Sequence, residues 1–362
     1  MKSILLRAGR LSPVILVEHL VEGRARCPHR AGSRLAEGYR RGGDTAPYLR
    51  GTLISITVLI VLMIRILTCA AAPAVTWERT DESIACKKGD EVLWQFNYGI
   101  RAQKPYFHPL RVAGGESLTA SRPADHRWHY GLWFSWKYIN GVNYWEEDKS
   151  GHSQGATTWE RPIIKTQDDG SADINMTLRY MSPSNGLIMI EQRDIRISAP
   201  STQGEVTIDW LGNFQARNEP LLLDRTPMPG EPNGAVNGGY AGFAMRAAQE
   251  PAECSFVTAE SLVEKFENDR ARPNSKAAAC NIVQSERTNG VAIFSHVSNT
   301  AGDSPWYIIN SKAMRWFSPS LLAPAPKNVK PRESFSWKFR VVTKAEAWSP
   351  EELKKQSEAY NH

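Results

Sequence analysis

The chain is poor in the devices that most often announce a function. Its 362 residues include five cysteines, and no two of them stand in a C-x-x-C pair. That spacing indicates neither a zinc site nor a dense disulfide framework. No G-x-x-x-x-G-K-[ST], no G-x-S-x-G and no G-x-G-x-x-G after a strand occurs. Phosphate-loop, serine-nucleophile and dinucleotide readings therefore have no support. Internal repeats, low-complexity tracts and composition breaks are missing, and helix signals are scarce until the C-terminus. The body of the chain also has no excess of one charge. The formal net charge is +6, but residues 1–72 hold 11 Lys/Arg and 4 Asp/Glu, leaving 33 and 34 for the rest. The basic balance belongs to the N-terminal segment and gives no footing for nucleic-acid binding.

Long apolar runs are equally scarce. Leu53–Ile64 is twelve uncharged residues, preceded by Arg50 and followed by Ala70-Ala71-Ala72-Pro73-Ala74. A basic flank, a short apolar core and an A-x-A site predict a secretory signal cleaved after Ala72 or Ala74. Arg65 leaves the run short for a spanning helix, so an uncleaved signal anchor is the alternative. Membrane contact is then expected only through this segment. Ile66-Leu67-Thr68-Cys69 resembles a lipoprotein box, with Thr before Cys as a poor fit. Residues 1–50 are Arg- and Gly-rich and unpatterned, consistent with an N-terminal extension or an overcalled start. The expected layout is an extension over 1–50, a signal or anchor over 51–74, and one exported domain over 75–362, periplasmic or extracellular. Cys86, Cys254 and Cys280 remain after cleavage; they allow one bridge and one free thiol, and the sequence does not choose the pair.

What is present has a period of two. Phe335, Trp337, Phe339 and Val341 share one face of Phe335–Thr343, with Ser336, Lys338 and Arg340 on the other, as in a half-buried strand. Val206–Trp210 alternates too. Ile174–Tyr180 and Leu187–Ser198 flank Ser182-Pro183-Ser184-Asn185-Gly186, which predicts a long hairpin. Asn281–Glu286 and Val291–His296 flank Thr288-Asn289-Gly290, which predicts a second. Ser349-Pro350-Glu351-Glu352 is a capping box that opens a helix to about Tyr360. The fold class expected is all-β, a large antiparallel sandwich with a short C-terminal helix.

The densest chemistry lies in Asp125–Trp136, DHRWHYGLWFSW. Two histidines, an aspartate and an arginine sit among five aromatics, which suits a site for a hydroxyl-rich small molecule. A polar turn leading into an aromatic core strand is the competing reading. Arg122–Asp125 looks like a turn and Gly131–Trp136 like a strand, so His126 and His129 fall at the junction, where either can reach a cleft. All twelve tryptophans lie beyond residue 76, five of them between Trp128 and Trp159. With Asn143, Glu146-Glu147-Asp148 and His152 interleaved, Trp128, Trp133, Trp136 and Trp145 are candidate sugar platforms. His108, in Pro105-Tyr106-Phe107-His108-Pro109, is a further candidate whose backbone is held by prolines. Glu191 and Arg193 share a strand face with four apolar residues, so they form either a structural ion pair or a cleft carboxylate with its partner. The Thr226–Gly239 loop runs into Gly238-Gly239-Tyr240-Ala241-Gly242 and is long enough to be functional.

With these residues in hand, the chain resembles the bacterial PmoA-like family, whose members are often labelled methane oxygenase PmoA. The matching blocks are Pro105–Pro109, Asp125–Trp133, Asn140-Gly141-Val142-Asn143-Tyr144-Trp145, Gly238–Gly242, and Val291–His296 with Pro305-Trp306. This brings Tyr240, His296 and Trp306 into the candidate binding set. The label implies a metal-dependent oxidoreductase, yet a membrane monooxygenase subunit needs several spanning helices and this body is β-patterned. The His108 … His126 … His129-x-Gly-Leu-Trp block is also similar to galactose-mutarotase-like supersandwiches, in which histidines and a carboxylate surround a sugar. The expected function is thus an exported carbohydrate-active or carbohydrate-binding protein. His126 and His129 would supply acid/base chemistry, with Asp125 or Glu191 as carboxylate partner. His108, the tryptophans, Asn143, Arg193, Tyr240, His296 and Trp306 would bind ligand. The three histidines with Glu146 or Asp125 would supply donors for a metal site, but they lack tight ligand spacing, so no cofactor and no metal are expected. A non-catalytic sugar-binding module and a metal-dependent oxidoreductase are the alternatives.

Overall fold

In a computed structural model of the chain, residues 75–248 and 253–362 are described. They fall within one of the chain's two compact units, Cys69–His362. The segments read above as extension and signal, 1–50 and 51–74, lie outside the described residues.

Alternation writes itself directly into sheets. One sheet has ten strands and runs edge to edge through Val75–Arg79, Ser83–Lys88, Glu91–Asn97, Tyr106–Leu110, Leu132–Ser135, Gly242–Arg246, Arg315–Pro319, Ser304–Asn310 and Arg270–Ala271, with Asn274–Ser275 also on Ser304–Asn310. A second, of nine strands, runs through Glu253–Thr258, Ala277–Gln284, Arg287–Ser295, Ser334–Lys344, Thr207–Ala216, Leu187–Ile197, Ala172–Met181 and Ala156–Trp159, with Ile163–Thr166 also on Ala172–Met181. Each described pairing is antiparallel. A small four-stranded sheet joins Tyr138–Ile139, Val142–Asn143, Leu221–Asp224 and Lys327–Val329. The inner faces of the two large sheets meet in one apolar core that includes Trp94, Phe107, Phe134, Trp136, Trp210, Phe214 and Trp337. The all-β antiparallel sandwich expected from the sequence is the architecture found.

The long hairpin forms between Ala172–Met181 and Leu187–Ile197, with Asn185 taking a positive φ in its turn. The C-terminal strand buries Trp337, Phe339 and Val341 and leaves Lys338 and Arg340 partly exposed. Helix α1, Pro350–Asn361, starts on the reciprocal Ser349/Glu352 capping box. The second hairpin turns three residues earlier than predicted. Gln284 pairs with Arg287, so the loop is Ser285-Glu286, both with positive φ, a two-residue turn of the twist-matched kind. Thr288-Asn289-Gly290 is strand. Gly290 is there for space, since a Cβ on it would lie 2.5 Å from the Trp348 ring. The structure also distinguishes the cysteines. Cys254 and Cys280 bring their sulfurs to 2.7 Å, whereas Cys86 is a buried free thiol whose pKa burial pushes up to about 12.

Candidate functional site

The first large sheet carries a second apolar cluster apart from the main core. Tyr130, Trp133, Trp145, Tyr240, Ala244, Tyr307, Ile309 and Trp316 form it, with Trp128 and Met314 packed against it. It floors a cleft of about 230 Å³ whose polar lining includes His126, His129, Glu146, Asn237 and Arg270, beside Trp128, Trp145, Tyr240, Tyr307 and Trp316. Aromatic floor and titratable wall come from five separate stretches of sequence, residues 126–133, 145–146, 236–244, 270 and 307–316.

Two successive turns place the histidines. The His126 amide donates to the Pro123 carbonyl at 3.0 Å, and the His129 amide to that of His126 at 3.0 Å. The Arg122 amide then closes onto His129 O at 2.7 Å. Gly131 follows at φ +79, where a Cβ would stand 2.4 Å from the Phe107 carbonyl oxygen. Only glycine lets the chain pass the Tyr106–Leu110 strand this closely. The two imidazoles stack at 4.8 Å and 26°, and His129 rests on Trp133 at 5.2 Å. A regular strand would have sent the two rings to opposite sides.

Their surroundings give the two rings different roles. His126 Nδ1 lies 2.8 Å from Asp125 Oδ2, and that same oxygen accepts from Arg246 Nη2 at 2.8 Å. Burial would raise the Asp125 pKa, but the bonds from His126 and Arg246 outweigh it and hold the carboxyl below its ordinary range. Asp125 is therefore a fixed anion that orients His126. His129 is buried, and its pKa is pushed well below 6.5 by burial first, then by His126, Arg246 and Lys104. Arg246 Nη1 lies 3.4 Å from His129 Nδ1, and a guanidinium can only donate, so the single proton sits on Nε2. His129 is thus a neutral hydrogen-bond donor.

Glu146 and Glu147, adjacent in sequence, go separate ways. Glu146 lines the cleft, accepting from Tyr240 Oη at 2.5 Å, Asn143 Nδ2 at 2.6 Å and Lys137 Nζ. Burial opposes its ionisation, but Lys137, Tyr240 and Asn143 together keep its pKa below the ordinary value. Asn143 also turns the chain, its Oδ1 accepting from the amides of Trp145 at 2.8 Å and Glu146 at 3.1 Å. Glu147 is buried under the cleft floor, bonded to Lys104 Nζ at 3.2 Å, Arg122 Nη1 at 3.0 Å and Tyr130 Oη at 2.5 Å. Burial, only partly offset by Glu147, lowers Lys104 to about 8. Tyr240 arrives from the Thr226–Gly239 loop, which is tied by Gly239 N to Thr226 O at 2.9 Å and Ala235 N to Pro227 O at 3.1 Å.

The structure thus unites His126, His129, Asp125, Trp128, Trp145, Tyr240 and Asn143, with Trp133 beneath them. The other sequence candidates lie elsewhere. Glu191 and Arg193 are in the main core, joined at 2.6 Å (Nε to Oε1) and 2.9 Å (Nη2 to Oε2), with Tyr180 Oη 2.6 Å from Glu191 Oε2. Arg193 stacks over Trp210 at 4.6 Å. This is the structural ion pair, and the cleft-carboxylate reading of Glu191 is corrected: strand alternation turns its face toward the opposing sheet. Trp136 packs at 4.8 Å on Trp337 in the same core, so it is not a cleft platform. Trp306 is core as well, its Nε1 donating to Ser275 O at 2.9 Å. His296 caps a short 3₁₀ turn and meets Tyr360 at 5.3 Å. His108 bonds Thr119 Oγ1 through Nδ1 at 2.9 Å, behind the histidine turn, and burial lowers its pKa. Glu146, Arg270, Tyr307 and Trp316 line the cleft, and Arg246 is buried beside it against His129 and Asp125; the sequence did not single these out as catalytic or substrate-binding residues. Only the Glu146-Glu147-Asp148 run carried a signal.

A family model covers residues 83–358, described as a family of unknown function, DUF6807. The chain belongs to the DUF6807 family. Its description carries no activity to transfer. No curated protein matches the chain. Among solved structures it is similar to an α-galactosidase from Lactobacillus brevis (8% identity, TM-score 0.38, 75% of this chain and 40% of that one). It is also similar to a putative aldose 1-epimerase from Klebsiella pneumoniae subsp. pneumoniae (8% identity, TM-score 0.36, 78% and 82%). A third is a galactose mutarotase related enzyme from Lactobacillus acidophilus (6% identity, TM-score 0.32, 74% and 97%). The chain spans about two fifths of the galactosidase's length. At these TM-scores the likenesses carry no inference about ligand or reaction.

Proposed function

We propose that the DUF6807 chain is an exported carbohydrate-active protein whose cleft performs acid/base chemistry on a sugar. The observation that carries this reading is the convergence of an Asp125-oriented histidine, a neutral donor histidine and an anchored carboxylate over one tryptophan-rich floor. Aromatic faces suit the C–H face of a sugar ring, and carboxylates suit its hydroxyls. His126, with Nδ1–H given to Asp125, would present Nε2 to take a proton from a hydroxyl. His129 would donate from Nε2–H to the oxygen on which charge develops, as only a neutral imidazole in a buried site can without leaving a buried charge. Glu146, held as an anion, would accept from hydroxyls and set the ring's orientation. Export is inferred from the 53–64 run, its basic flank and the A-x-A site.

The PmoA-like resemblance would instead imply a metal-dependent oxidation. The donors do not fit that demand: among the described residues no group of three or more His, Cys, Asp or Glu could hold a metal ion.

Calorimetric titration with a panel of monosaccharides, paired with NMR measurement of anomer exchange, tests the proposal. His126→Asn should abolish exchange and retain most of the binding. Binding without exchange in the native protein would leave a non-catalytic sugar-binding module. Failure of every sugar to bind would refute the reading.

A further inference from the structure

The charges around the cleft do not balance. Glu146 is set against Lys137, Asp125 against Arg246, and Glu147 against both Lys104 and Arg122. Arg270 and Arg272 enter no ion pair among the described residues. Arg270 lines the cleft, with Nε donating to Tyr307 Oη at 3.0 Å and Nη1 to Asn268 O at 2.5 Å. These bonds fix the plane of the guanidinium and leave Nη2 without a hydrogen bond among the described residues. Arg272 packs its guanidinium 4.1 Å over the Tyr307 ring and donates from Nη2 to Val236 O at 3.0 Å. Glu267 and Asp269 precede Arg270 closely, and Glu267 meets it in a backbone bridge (Glu267 N to Arg270 O 2.8 Å, Arg270 N to Glu267 O 3.0 Å), but neither carboxylate forms an ion pair with it among the described residues. Two half-buried guanidiniums, one at the hydroxyl and one over the ring of Tyr307, have no counter-charge among the described residues and can take an anion.

We propose that this wall receives a carboxylate, so that the cleft prefers an acidic sugar of the uronate class to a neutral hexose. The inference rests on the sugar reading above. A planar carboxylate matches the fork that a guanidinium presents, and the Tyr307 hydroxyl, accepting from Arg270, keeps its own hydrogen to give. The rest of the ring would lie over Trp128 and Trp145, with its hydroxyls toward Glu146 and His126.

The test is calorimetric titration of the full chain with glucuronate and galacturonate, and with glucose and galactose, at low and high salt. One charge-assisted pair is expected to favour the uronates by about tenfold or more at low salt. Rising salt should narrow the gap. Arg270→Gln should erase the preference, weakening uronate binding by about tenfold more than neutral hexose binding. Equal affinity for hexoses and uronates in the native protein overturns the inference and leaves the sugar reading standing, as does Arg270→Gln weakening both classes alike. No binding by any of the four overturns both. Because the preference and its salt dependence are read on the unmodified protein, the test survives a poorly folding variant.

Discussion

Replacing Glu191 by Gln should destabilise the protein strongly without touching its cleft. Glu191 and Arg193 are 0% and 1% exposed, and the carboxylate accepts three bonds, from Tyr180 at 2.6 Å and from Arg193 at 2.6 and 2.9 Å. The glutamine amide keeps one oxygen but removes the charge, so the buried guanidinium loses its counter-ion. One of its nitrogens, Nη1, already has no partner. Breaking a buried pair by removing one partner costs about 3–5 kcal/mol. For a domain of this size that is a fall in Tm on the order of 10 °C. Replacing both partners together, Glu191→Leu with Arg193→Met, should recover most of the loss, because both desolvation costs vanish with the charges. Thermal and urea melts of wild type, the single variant and the double variant give the comparison. A single-variant loss under about 1 kcal/mol would show that the pair is not the uncompensated buried charge it looks like. Loss of ligand binding in the folded Glu191→Gln protein, with stability unchanged, would return Glu191 to the cleft.

Protonation of His129 should be visible in stability. Its folded pKa is depressed, so below pH 6.5 the unfolded chain binds a proton that the folded one refuses, and stability falls as pH drops through that range. His129→Gln should flatten the Tm profile there, and an unchanged slope would refute the neutral assignment. Protein made in an oxidising compartment should show Cys254 linked to Cys280 on peptide mapping, with Cys86 alkylated only after unfolding; the closed loop should contribute roughly 3 kcal/mol. Trp136→Ala should cost about 3–5 kcal/mol with ligand affinity unchanged in the folded fraction, whereas Trp128→Ala should weaken binding and leave melts nearly unmoved. The reverse pattern would exchange their roles.

Features read from neighbours in sequence survived translation into three dimensions. The Ser182–Gly186 hairpin, the Ser334–Lys344 strand and the capping box are each set by residues a few positions apart. The same holds for the histidine turn, where Pro123 and Gly131 fix the backbone. The second hairpin was misplaced because Asn289-Gly290 imitates a turn pair, while the glycine answers to Trp348, distant in sequence. Composition marked the tryptophans as a group but could not assign Trp136 to the core and Trp145 to the cleft, since both lie just past the ends of short strands and are placed by contacts distant in sequence, Trp136 by Trp337 and Trp145 by Tyr240. Glu146 was legible only as part of an acidic run, for a related reason. Its meaning comes from Tyr240, 94 residues away, and nothing local separates it from Glu147.

The cleft draws on the turn around His126, the loop before Tyr240 and the strands that carry Arg270 and Trp316. Its floor is complete only when Gly242–Arg246 has paired with both Leu132–Ser135 and Arg315–Pro319. Such non-local pairings form late, after long loops have closed. During synthesis the site therefore cannot exist until nearly the whole chain has emerged. A ligand that binds there captures only fully assembled molecules, and no excised segment of this fold can be expected to carry the binding activity with it.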